Sequence, residues 1–425
     1  MTASPQTLAE WLQWIEARHP ASGIRLGLDR VRQVAKGLDL AHPARQVITV
    51  AGTNGKGSTV AFIEAMARAA GLRVGTYTSP HLLRYNERIR IDGQPIDDTA
   101  LAEAFAAVEA ARPESVQLTY FEYGTLAALW LFGRAGLDLA VLEVGLGGRL
   151  DAVNLVDADV AVVTTVDLDH QEWLGIDREA IGSEKVGIAR AFRPLVLGDD
   201  DPPASVLRHA YAIGASALRI GCDFFCEPLD DAHWQWRDVG TSYRLPMPRL
   251  QAPVQLRNGA VAIAALRACA LPVGEGAFAR GVAEADLPGR LQAVERSGIT
   301  LYLDVGHNRQ AAEALAAWLR QHPAPGRTLA VYAALADKDA PAVVQALGDG
   351  VQQWHLAGLQ AGPRSQTADD LRQRLQDTAA AGAQLHVDVA SALQAALQQA
   401  GPDDRVLVFG SFHTVAEAMA WLDAG

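Results

Sequence analysis

The residues with the clearest capacity for chemistry form a glycine-rich turn at residues 51–59. The turn reads Ala-Gly-Thr-Asn-Gly-Lys-Gly-Ser-Thr and lies between an apolar run at 47–51 and a segment of helical periodicity at 59–70. Glycines let backbone N–H groups converge on phosphate oxygens, and the N-terminus of the following helix favours negative charge. Lys56 adds a cation, and the Ser58 hydroxyl can reach Mg²⁺. Because the spacing departs from G-x-x-x-x-G-K-S/T, a glycine-rich turn that binds no phosphate remains the alternative.

Three polar residues follow predicted strands close to this turn. Ser79 follows a strand that ends near residue 78, Glu143 ends the run at 139–143, and His170 follows the run at 160–166. Ligands of open α/β sheets bind at the carboxyl ends of the strands, and Mg²⁺ prefers hard oxygen ligands. A strand-end glutamate alone is more often solvated, and a loop histidine alone is more often no ligand. Their shared placement beside the turn favours a metal site.

Lysine is rare in this chain, so each lysine is informative. It occurs only at Lys36, Lys56, Lys185 and Lys338, whereas arginine supplies the other 33 basic residues. The lysine amine is compact, and its pKa shifts readily on burial, so lysine suits positions where the amine itself reacts. Lys185, in a helix-like segment at 181–188, would ordinarily be a surface residue, but this scarcity makes it a candidate for a reactive amine.

The elements that must position these residues alternate between strands and helices. Near-continuous Val/Ile/Leu runs predict a parallel sheet that is covered on both faces. The first set of predicted elements comprises strands at 47–51, 73–78, 138–144, 159–166 and 194–197 and a helix at 121–132. Short hairpins are predicted within 222–249. The second set comprises strands at 299–305, 328–333, 353–356, 384–387 and 405–409 and helices at 309–321, 340–347, 368–377, 391–399 and 414–422. We therefore predict an α/β protein of two domains, 1–291 and 292–425.

Composition and charge exclude several classes of protein. The 425 residues carry a formal net charge of −12 and no block of Lys or Arg, which argues against a nucleic-acid partner. Three cysteines cannot form a disulfide framework, and Cys222 with Cys226 is weak as a metal site, so inert thiols are expected. Charged residues interrupt the most apolar stretch, 126–146, and the N-terminus lacks the basic start of a secretory signal. We expect a cytoplasmic protein without a membrane segment.

Several motifs, taken in order along the chain, resemble the folylpolyglutamate synthase and dihydrofolate synthase branch of the Mur ligase family. The resemblance runs from about residue 21 to 414. Only the phosphate loop is shared widely with other Mur ligases, whereas Ser-Pro-His-Leu at 79–82 and Gly-Leu-Gly-Gly-Arg-Leu-Asp at 145–151 are specific to the folate branch. The matching stretches are 52–59, 78–82, 120–124, 143–151, 169–175, 184–188, 287–290, 304–308 and 409–414.

This resemblance implies a particular fold and reaction. The fold would be a P-loop-type, parallel-sheet ATPase domain followed by a Rossmann-like α/β domain, which are the central and C-terminal domains of Mur ligases. The reaction would transfer the γ-phosphoryl group of ATP to a carboxylate, and the amine of glutamate would then attack the acyl phosphate. Such a transfer needs positioning and charge neutralisation more than covalent help from the protein.

The resemblance also implies roles for residues in the first domain. In similar enzymes the lysine at the position of Lys185 is carbamylated, which turns a cation into a carboxylate near a second metal. A first Mg²⁺ is implied at Ser79 and Glu143 and a second at His170. The ATP phosphates are implied to bind at Gly55, Lys56, Gly57 and Ser58.

Further residues would contact nucleotide and substrates. The resemblance implies the remaining ATP contacts at Asn258, Arg290 and Asp304. It implies that the incoming glutamate binds at His307 and Ser411, where His413 either assists or only packs. Catalytic residues would be Lys56, His170, Lys185 and His307. An aromatic pair before a helix, such as Tyr120 and Phe121, is usually part of a core. Here the resemblance implies a dihydropteroate site made of Gly27, Leu28, Asp29, Arg30, Thr119, Tyr120, Phe121, Glu122 and Leu150.

Four hypotheses follow for the activity. The first is a bifunctional ligase that joins L-glutamate to 7,8-dihydropteroate and then to reduced folates, with ATP and two Mg²⁺ sites. The second, an enzyme that only extends polyglutamate tails, is disfavoured by the loop at 26–30. A cell-wall amino-acid ligase is disfavoured by the folate-branch stretches, and a nucleotide-dependent switch by the implied glutamate site. The expected partners are small molecules, with no nucleic acid and no membrane, and the expected state is a monomer.

Overall fold

The computed structural model describes residues 5–19, 23–40, 42–269, 271–360 and 362–424. The chain divides into two compact units. The first comprises Met1–Arg249 and Gln255–Asp286, and the second comprises Leu250–Val254 and Leu287–Gly425. Each unit has an open sheet with helices on its faces, so the predicted two-domain α/β class is confirmed.

The sheet of the first unit has eight strands in the order β4-β3-β2-β5-β1-β6-β7-β8. All neighbours are parallel except β2 with β3 and β3 with β4. The central strands are fully buried, which explains their unbroken apolar sequences. The strands are β1 (Gln46–Ala51), β2 (Val74–Tyr77), β3 (Ile89–Ile91), β4 (Gln94–Pro95), β5 (Leu139–Glu143), β6 (Val160–Val163), β7 (Pro194–Leu197) and β8 (Ser216–Arg219).

Ten helices and a small antiparallel sheet complete this unit among the described residues. The small sheet, in the order β11-β10-β9, confirms the hairpins predicted within 222–249. Its strands are β9 (Phe224–Pro228), β10 (His233–Asp238) and β11 (Ser242–Pro246). The helices are α1 (Leu8–Arg18), α2 (Asp29–Leu38), α3 (Lys56–Ala69), α4 (Asp98–Ala111), α5 (Tyr120–Ala135), α6 (Gln171–Leu174), α7 (Arg178–Val186), α8 (Ala204–Ala212), α9 (Val254–Ala268) and α10 (Glu275–Glu284).

Strand order in the first unit decides which loops meet. Strands β2, β5, β1 and β6 are consecutive neighbours and parallel, so their carboxyl ends lie at one edge of the sheet. The segments that leave these ends are 78–88, 144–151, 52–55 and 164–170. The phosphate loop and all three metal candidates therefore leave the sheet at the same edge.

The second unit has a six-stranded sheet in the order β12-β13-β17-β14-β15-β16. Only the edge strand β12 is antiparallel to its neighbour. The strands are β12 (Gln292–Arg296), β13 (Ile299–Asp304), β14 (Thr328–Tyr332), β15 (Gln353–Ala357), β16 (Gln384–His386) and β17 (Arg405–Phe409). The helices are α11 (Arg309–Gln321), α12 (Ala340–Leu347), α13 (Ala368–Arg374), α14 (Val389–Gln399) and α15 (Phe412–Ala424).

The two units divide at 286/287, slightly before the predicted 291/292 boundary. Residues 287–291 are hydrogen-bonded to the second unit: the Val305 N–H donates to the Gly289 carbonyl, and the Leu291 N–H donates to the Asp304 carboxylate. The Leu291 side chain is buried in the core of that unit. Arg290 is consequently held by the second unit, although the sequence pattern grouped it with the first.

The predicted strands of both sheets are present within one to three residues at each end. The antiparallel additions β3, β4 and β12 were not predicted, because they are short and lack the apolar runs of the buried strands. Among the helices of the described residues, none is both long and apolar enough to cross a membrane.

Candidate active site

The phosphate loop is shaped by one glycine in the left-handed region. Gly55 has φ 86° and immediately precedes α3, which begins at Lys56, three residues earlier than predicted. A Cβ built on Gly55 would lie 2.5 Å from the Asn258 side-chain oxygen. Asn258 is itself buried in α9 and donates a hydrogen bond to the Gln255 side chain at 3.0 Å. The loop therefore requires glycine here for both its conformation and its contact with Asn258.

The same loop is fastened to the segment that follows β6. The Thr164 hydroxyl donates to the Asn54 carbonyl at 2.6 Å, and the Thr53 N–H donates to the Thr165 carbonyl at 2.8 Å. The Thr53 hydroxyl also accepts from the Asp167 N–H at 3.0 Å. Sequence reasoning missed these threonines, although short hydroxylated residues after a strand that adjoins the loop were an available signal.

Lys56, Gly57 and Ser58 form the first turn of α3. The Lys56 ammonium donates to the carbonyls of Gly52 at 3.1 Å and Thr53 at 3.3 Å, so the cation lies over the loop. Ser58 is buried at the helix N-terminus. These predicted phosphate residues are brought together as one backbone-rich, positively charged turn.

Two of the three metal candidates meet directly. Ser79 follows β2 and Glu143 ends β5, and these strands are parallel neighbours with Tyr77 paired to Leu142. The Ser79 N–H donates to the Glu143 carboxylate at 3.2 Å, and Glu143 is buried. A hydroxyl and a carboxylate are hard oxygen donors, and a Mg²⁺ that keeps several waters needs only a few protein ligands, so this pair fits a magnesium ion.

His170 lies on the segment after β6, in the left-handed conformation (φ 50°) that precedes α6. Its Nε2 is 3.8 Å from the Asp169 carboxylate, which also accepts the His170 backbone N–H at 2.9 Å. Within the described parts of the chain, no three His, Cys, Asp or Glu side chains are grouped as a metal cage. The geometry thus joins Ser79 with Glu143 and places His170 beside Asp169.

Lys185 is buried near the end of α7 with 4% of its surface exposed. Burial, together with the nearby Lys56 cation, lowers the pKa of Lys185 to about 7, against the opposing effect of Asp169. A large fraction of the amine is therefore neutral near pH 7. The surface position that an isolated lysine would ordinarily take is excluded.

The loop at 145–151 supports the end of α7. The Arg149 N–H donates to the Glu184 carbonyl at 2.8 Å, and its guanidinium pairs with the Glu184 carboxylate at 2.7 Å. A Cβ on Gly148 would lie 2.7 Å from the Lys185 carbonyl oxygen, so only glycine allows this approach.

Asp151 ends this loop and is buried. It accepts N–H groups of Leu146 at 2.8 Å and Val153 at 3.0 Å, and burial raises its pKa to about 7. The sequence pattern alone indicates no separate role for Asp151.

The segments predicted for the pterin side do lie together. The Gly27 N–H donates to the Leu150 carbonyl at 3.1 Å, and the Arg30 guanidinium pairs with the Glu122 carboxylate at 2.8 Å. Glu122 also accepts the Thr119 N–H at 2.7 Å, and the Thr119 hydroxyl accepts the Glu122 N–H at 3.2 Å, which forms a capping box at the start of α5. The side chains of Thr119 and Glu122 are therefore used to begin a helix and to hold Arg30.

The remaining pterin-side residues differ in exposure. Leu28 is buried in the core, and the Asp29 carboxylate is exposed, 3.7 Å from Arg32. The rings of Tyr120 and Phe121 are half-buried, with Tyr120 5.5 Å from Tyr85. Phe121 is 5.8 Å from Tyr77, and a Cβ on Gly145 would lie 2.7 Å from its ring. These two aromatic rings, and not Leu28, offer faces at the edge of the core.

In the second unit, Asp304 ends β13 and accepts N–H groups from Leu291 at 2.9 Å and Gly306 at 2.7 Å. Burial raises the pKa of Asp304, and Arg290 opposes this shift. The Arg290 guanidinium lies 5.2 Å from the centre of the Phe412 ring, and His307 Nδ1 is 3.0 Å from the Val305 carbonyl. Arg290, Asp304 and His307 therefore lie around the end of β13.

Ser411 lies after β17, the strand beside β13. It is buried, accepts the Thr414 N–H at 3.0 Å and is 2.7 Å from the Thr414 hydroxyl, which itself donates to the Ala333 carbonyl. The Ser411 hydroxyl therefore caps α15, and His413 is exposed on the same helix. A structural use of this serine was not anticipated from the sequence.

Comparisons with known proteins agree with this architecture. Residues 50–238 match the model of the Mur ligase middle domain, and residues 289–412 match the Mur ligase glutamate ligase domain. The dihydrofolate synthase/folylpolyglutamate synthase of Escherichia coli (strain K12) is 47% identical over 423 residues, which cover 99% of this chain and 96% of that protein.

Solved structures give the same result. One described as E. coli FolC in complex with DHPP and ADP has a TM-score of 0.92 and 46% identity, covering 99% of both chains. A bifunctional folylpolyglutamate synthase/dihydrofolate synthase with Mn, AMPPNP and L-glutamate bound has a TM-score of 0.90 and 43% identity, covering 99% of this chain and 100% of that one. The chain belongs to the Mur ligase family of ATP-dependent ligases. Within that family its likeness over the full length is to the dihydrofolate synthase/folylpolyglutamate synthases.

Proposed function

We propose that the chain is a bifunctional, ATP-dependent ligase. It joins L-glutamate to 7,8-dihydropteroate, which yields dihydrofolate, and to reduced folates, which yields polyglutamates. The observation that carries this proposal is the likeness over 99% of the chain to a protein with both activities in its name. Structures of similar proteins hold DHPP, ADP, AMPPNP, Mn and L-glutamate, which supports ATP, a divalent metal and small-molecule substrates for this chain.

The chemistry follows from the weakness of a carboxylate as an electrophile. A carboxylate oxygen attacks the γ-phosphorus of ATP, the bond to the bridging oxygen of ADP breaks, and an acyl phosphate forms. The neutral amine of glutamate then attacks the acyl carbon, inorganic phosphate leaves, and the amine loses a proton as the amide forms. The protein contributes alignment and charge neutralisation.

The phosphate loop supplies the positive field for the first step. The N-terminus of α3, formed by Gly55, Gly57 and Ser58, points at the phosphates in this proposal. The Lys56 ammonium exchanges its carbonyl partners for phosphate oxygens. Magnesium bound by Ser79 and Glu143 would neutralise charge on the phosphates when present. His170 is the proposed ligand of a second ion.

Lys185 is proposed to act as a carbamate. Its pKa of about 7 leaves much of the amine neutral, and a neutral amine adds to carbon dioxide with loss of one proton to water. The product is an anion next to the segment that carries His170. Asp169, which opposes the lowering of the Lys185 pKa, belongs to that same segment.

The pterin-side residues Gly27, Arg30, Tyr120, Phe121 and Leu150 are proposed to bind the acceptor, with the Arg30–Glu122 pair fixing the first loop to the second. Asn258 borders the phosphate loop and is proposed to contact ATP.

In the second unit, two residues are proposed to contact nucleotide and two to bind glutamate. Arg290 supplies a planar cation for phosphate, and Asp304 accepts nucleotide hydroxyls. His307 and Ser411 are proposed for the incoming glutamate, and the capping bonds of Ser411 leave one lone pair for a substrate ammonium. These roles assign the pterin substrate to the first unit and glutamate to the second.

The deciding experiment measures phosphate release from ATP with Mg²⁺ and L-glutamate, with either 7,8-dihydropteroate or tetrahydrofolate as acceptor. We expect glutamate-dependent turnover with both acceptors. Turnover with tetrahydrofolate alone would reduce the proposal to polyglutamylation, and turnover with neither would overturn it.

We also propose a cytoplasmic monomer. Its three cysteines are free thiols, with Cys222 exposed and Cys269 buried, which suits a reducing compartment. Cell fractionation and light scattering of the purified chain test these two statements.

A further inference from the structure

A buried arginine near the candidate site has no assigned use. Arg88 ends the short helical turn Tyr85–Arg88 and is 8% exposed. Its Nε donates to His81 Nδ1 at 2.8 Å. Because a guanidinium keeps its protons, Nδ1 of His81 is the acceptor in this bond.

The charge of Arg88 is not balanced by an acid in the described parts of the chain. Its guanidinium carbon lies 5.0 Å from the ring centre of Tyr85 and 5.6 Å from that of Tyr120, and its Nη1 and Nη2 have no hydrogen-bond acceptor among those residues. Cation–π contacts offset only part of the free energy lost when a charge is buried. A buried cation with unused donors is therefore suited to an anionic ligand.

Two acidic residues near Arg88 in sequence, Glu87 and Asp98, are already engaged. The Glu87 carboxylate accepts backbone N–H groups of the preceding turn at 2.6 to 2.8 Å. Asp98 accepts from Arg84 at 2.9 Å and from Asn86 at 2.8 Å. The bonds of Glu87 and Asn86 fix the turn that carries Arg88, and both acids are engaged by partners other than Arg88.

Arg88 also lies between the two parts of the site in the first unit. Its carbonyl accepts the Thr78 N–H at 2.8 Å, one residue before the metal candidate Ser79. Its guanidinium faces Tyr120, which belongs to the pterin side. A ligand that extends from the aromatic residues toward the metal would therefore pass this guanidinium.

We propose that Arg88 binds the carboxylate of the acceptor, the group that receives the phosphoryl of ATP, through its two Nη groups. This inference rests on the proposed function. The planar fork of arginine matches both oxygens of a carboxylate, and the negative charge provides what the buried cation lacks. The edges of a pterin ring are neutral and would leave that charge unbalanced. His81 orients the fork by holding Nε.

The test compares two ligands that differ only at the proposed contact. Binding of 7,8-dihydropteroate and of its analogue with a carboxamide in place of the carboxylate is measured by calorimetry, with wild-type protein and Arg88→Met. We expect the wild type to prefer the carboxylate by about 10- to 100-fold, as charge-assisted hydrogen bonds do. In Arg88→Met the affinities for the two ligands should differ by no more than about threefold. Changing the ligand and the arginine separately and together forms a double-mutant cycle, which isolates the arginine–carboxylate pair.

Arg84→Met is the matched control, because Arg84 immediately precedes the same turn but is exposed and paired with Asp98. It should keep the wild-type preference.

Arg88→Lys, which keeps the charge and loses the fork, should retain part of the preference and raise the KM for dihydropteroate without raising that for ATP. This variant carries the test if Arg88→Met does not fold. A wild-type preference that persists in both Arg88 variants overturns the inference alone. Failure of the wild type to bind either ligand overturns the proposed function as well.

Discussion

The phosphate loop and the pterin side hold their residues by opposite means. The phosphate loop is a contiguous backbone turn whose shape depends on Gly55 and on hydrogen bonds to the neighbouring segment at 164–167. The pterin side is assembled from three distant segments, joined by the Arg30–Glu122 pair and the Gly27–Leu150 backbone bond. A site built from backbone groups should tolerate few substitutions of its glycines. A site held together by side-chain ion pairs should instead lose substrate binding when one charge is removed.

The largest effect is expected for Gly55→Ala. A Cβ at 2.5 Å from the Asn258 oxygen, added to the strain of φ 86°, must displace the loop. We expect kcat/KM to fall by roughly 1,000-fold, or about 4 kcal/mol of transition-state stabilisation. Steady-state kinetics with varied ATP measure this effect.

Gly71→Ala is the matched control. Gly71 has φ 81°, but a Cβ there would have no atom within 4 Å. It should lower the free energy of unfolding by about 1–2 kcal/mol through the same backbone strain and leave activity unchanged. Equal losses of activity in both variants would show that general destabilisation by backbone strain, and not displacement of the phosphate loop, lowers the activity.

The second prediction concerns Lys185, whose burial opposes folding. The pKa of Lys185 in the folded protein is about 7, below the ordinary 10.5. Below pH 7 the folded state therefore carries the full free-energy cost of burying a charged amine. This cost declines as pH rises from about 7 to 10.5, because over that range the unfolded chain binds more protons than the folded protein. Lys185→Met should therefore raise the free energy of unfolding by about 3 kcal/mol at pH 6.5, with a smaller gain at pH 9.

Chemical denaturation at the two pH values, in buffers depleted of carbon dioxide, measures this difference. Lys36→Met, at an exposed lysine, serves as the control and should change stability little at either pH. A gain for Lys185→Met that is independent of pH would contradict a buried, titrating amine. The same variant should lack ligase activity.

The contrast between the two regions also explains what the sequence could predict. The loop at 51–59 was predictable because its glycines and its helix N-terminus act locally. The meeting of Ser79 with Glu143 followed from strand ends in a parallel sheet. The Arg30–Glu122 pair joins residues 92 positions apart, and Arg88 contacts Tyr120 of a separate segment. No local pattern contains such information, so these contacts required the structure.

The third prediction tests the side-chain pairing of the pterin side. Glu122→Gln leaves the partly buried Arg30 cation without its carboxylate. We expect the free energy of unfolding to fall by about 2 kcal/mol, below the range for a fully buried pair, and the KM for dihydropteroate to rise about tenfold. The KM for ATP should stay within about twofold of the wild-type value, because the phosphate loop is independent of this pair.

Glu109→Gln breaks a comparable pair with Arg112 in the same unit, with side chains that are also largely buried. It should reduce stability similarly without changing either KM. If both variants raised the KM for dihydropteroate, the effect would reflect general loosening of the unit and not the pairing of the two segments.

The smallest effect is expected for Ser411→Ala, where one hydroxyl has two proposed uses. Loss of the cap on α15 should lower the free energy of unfolding by about 1 kcal/mol. Loss of the lone pair proposed for the substrate ammonium should raise the KM for glutamate about three- to tenfold, the value of one hydrogen bond. Asp388→Ala removes the cap of α14 in the same unit and should reduce stability equally while leaving that KM unchanged. An unchanged KM in Ser411→Ala would leave the hydroxyl with capping alone, and glutamate recognition would then rest on His307 and its neighbours.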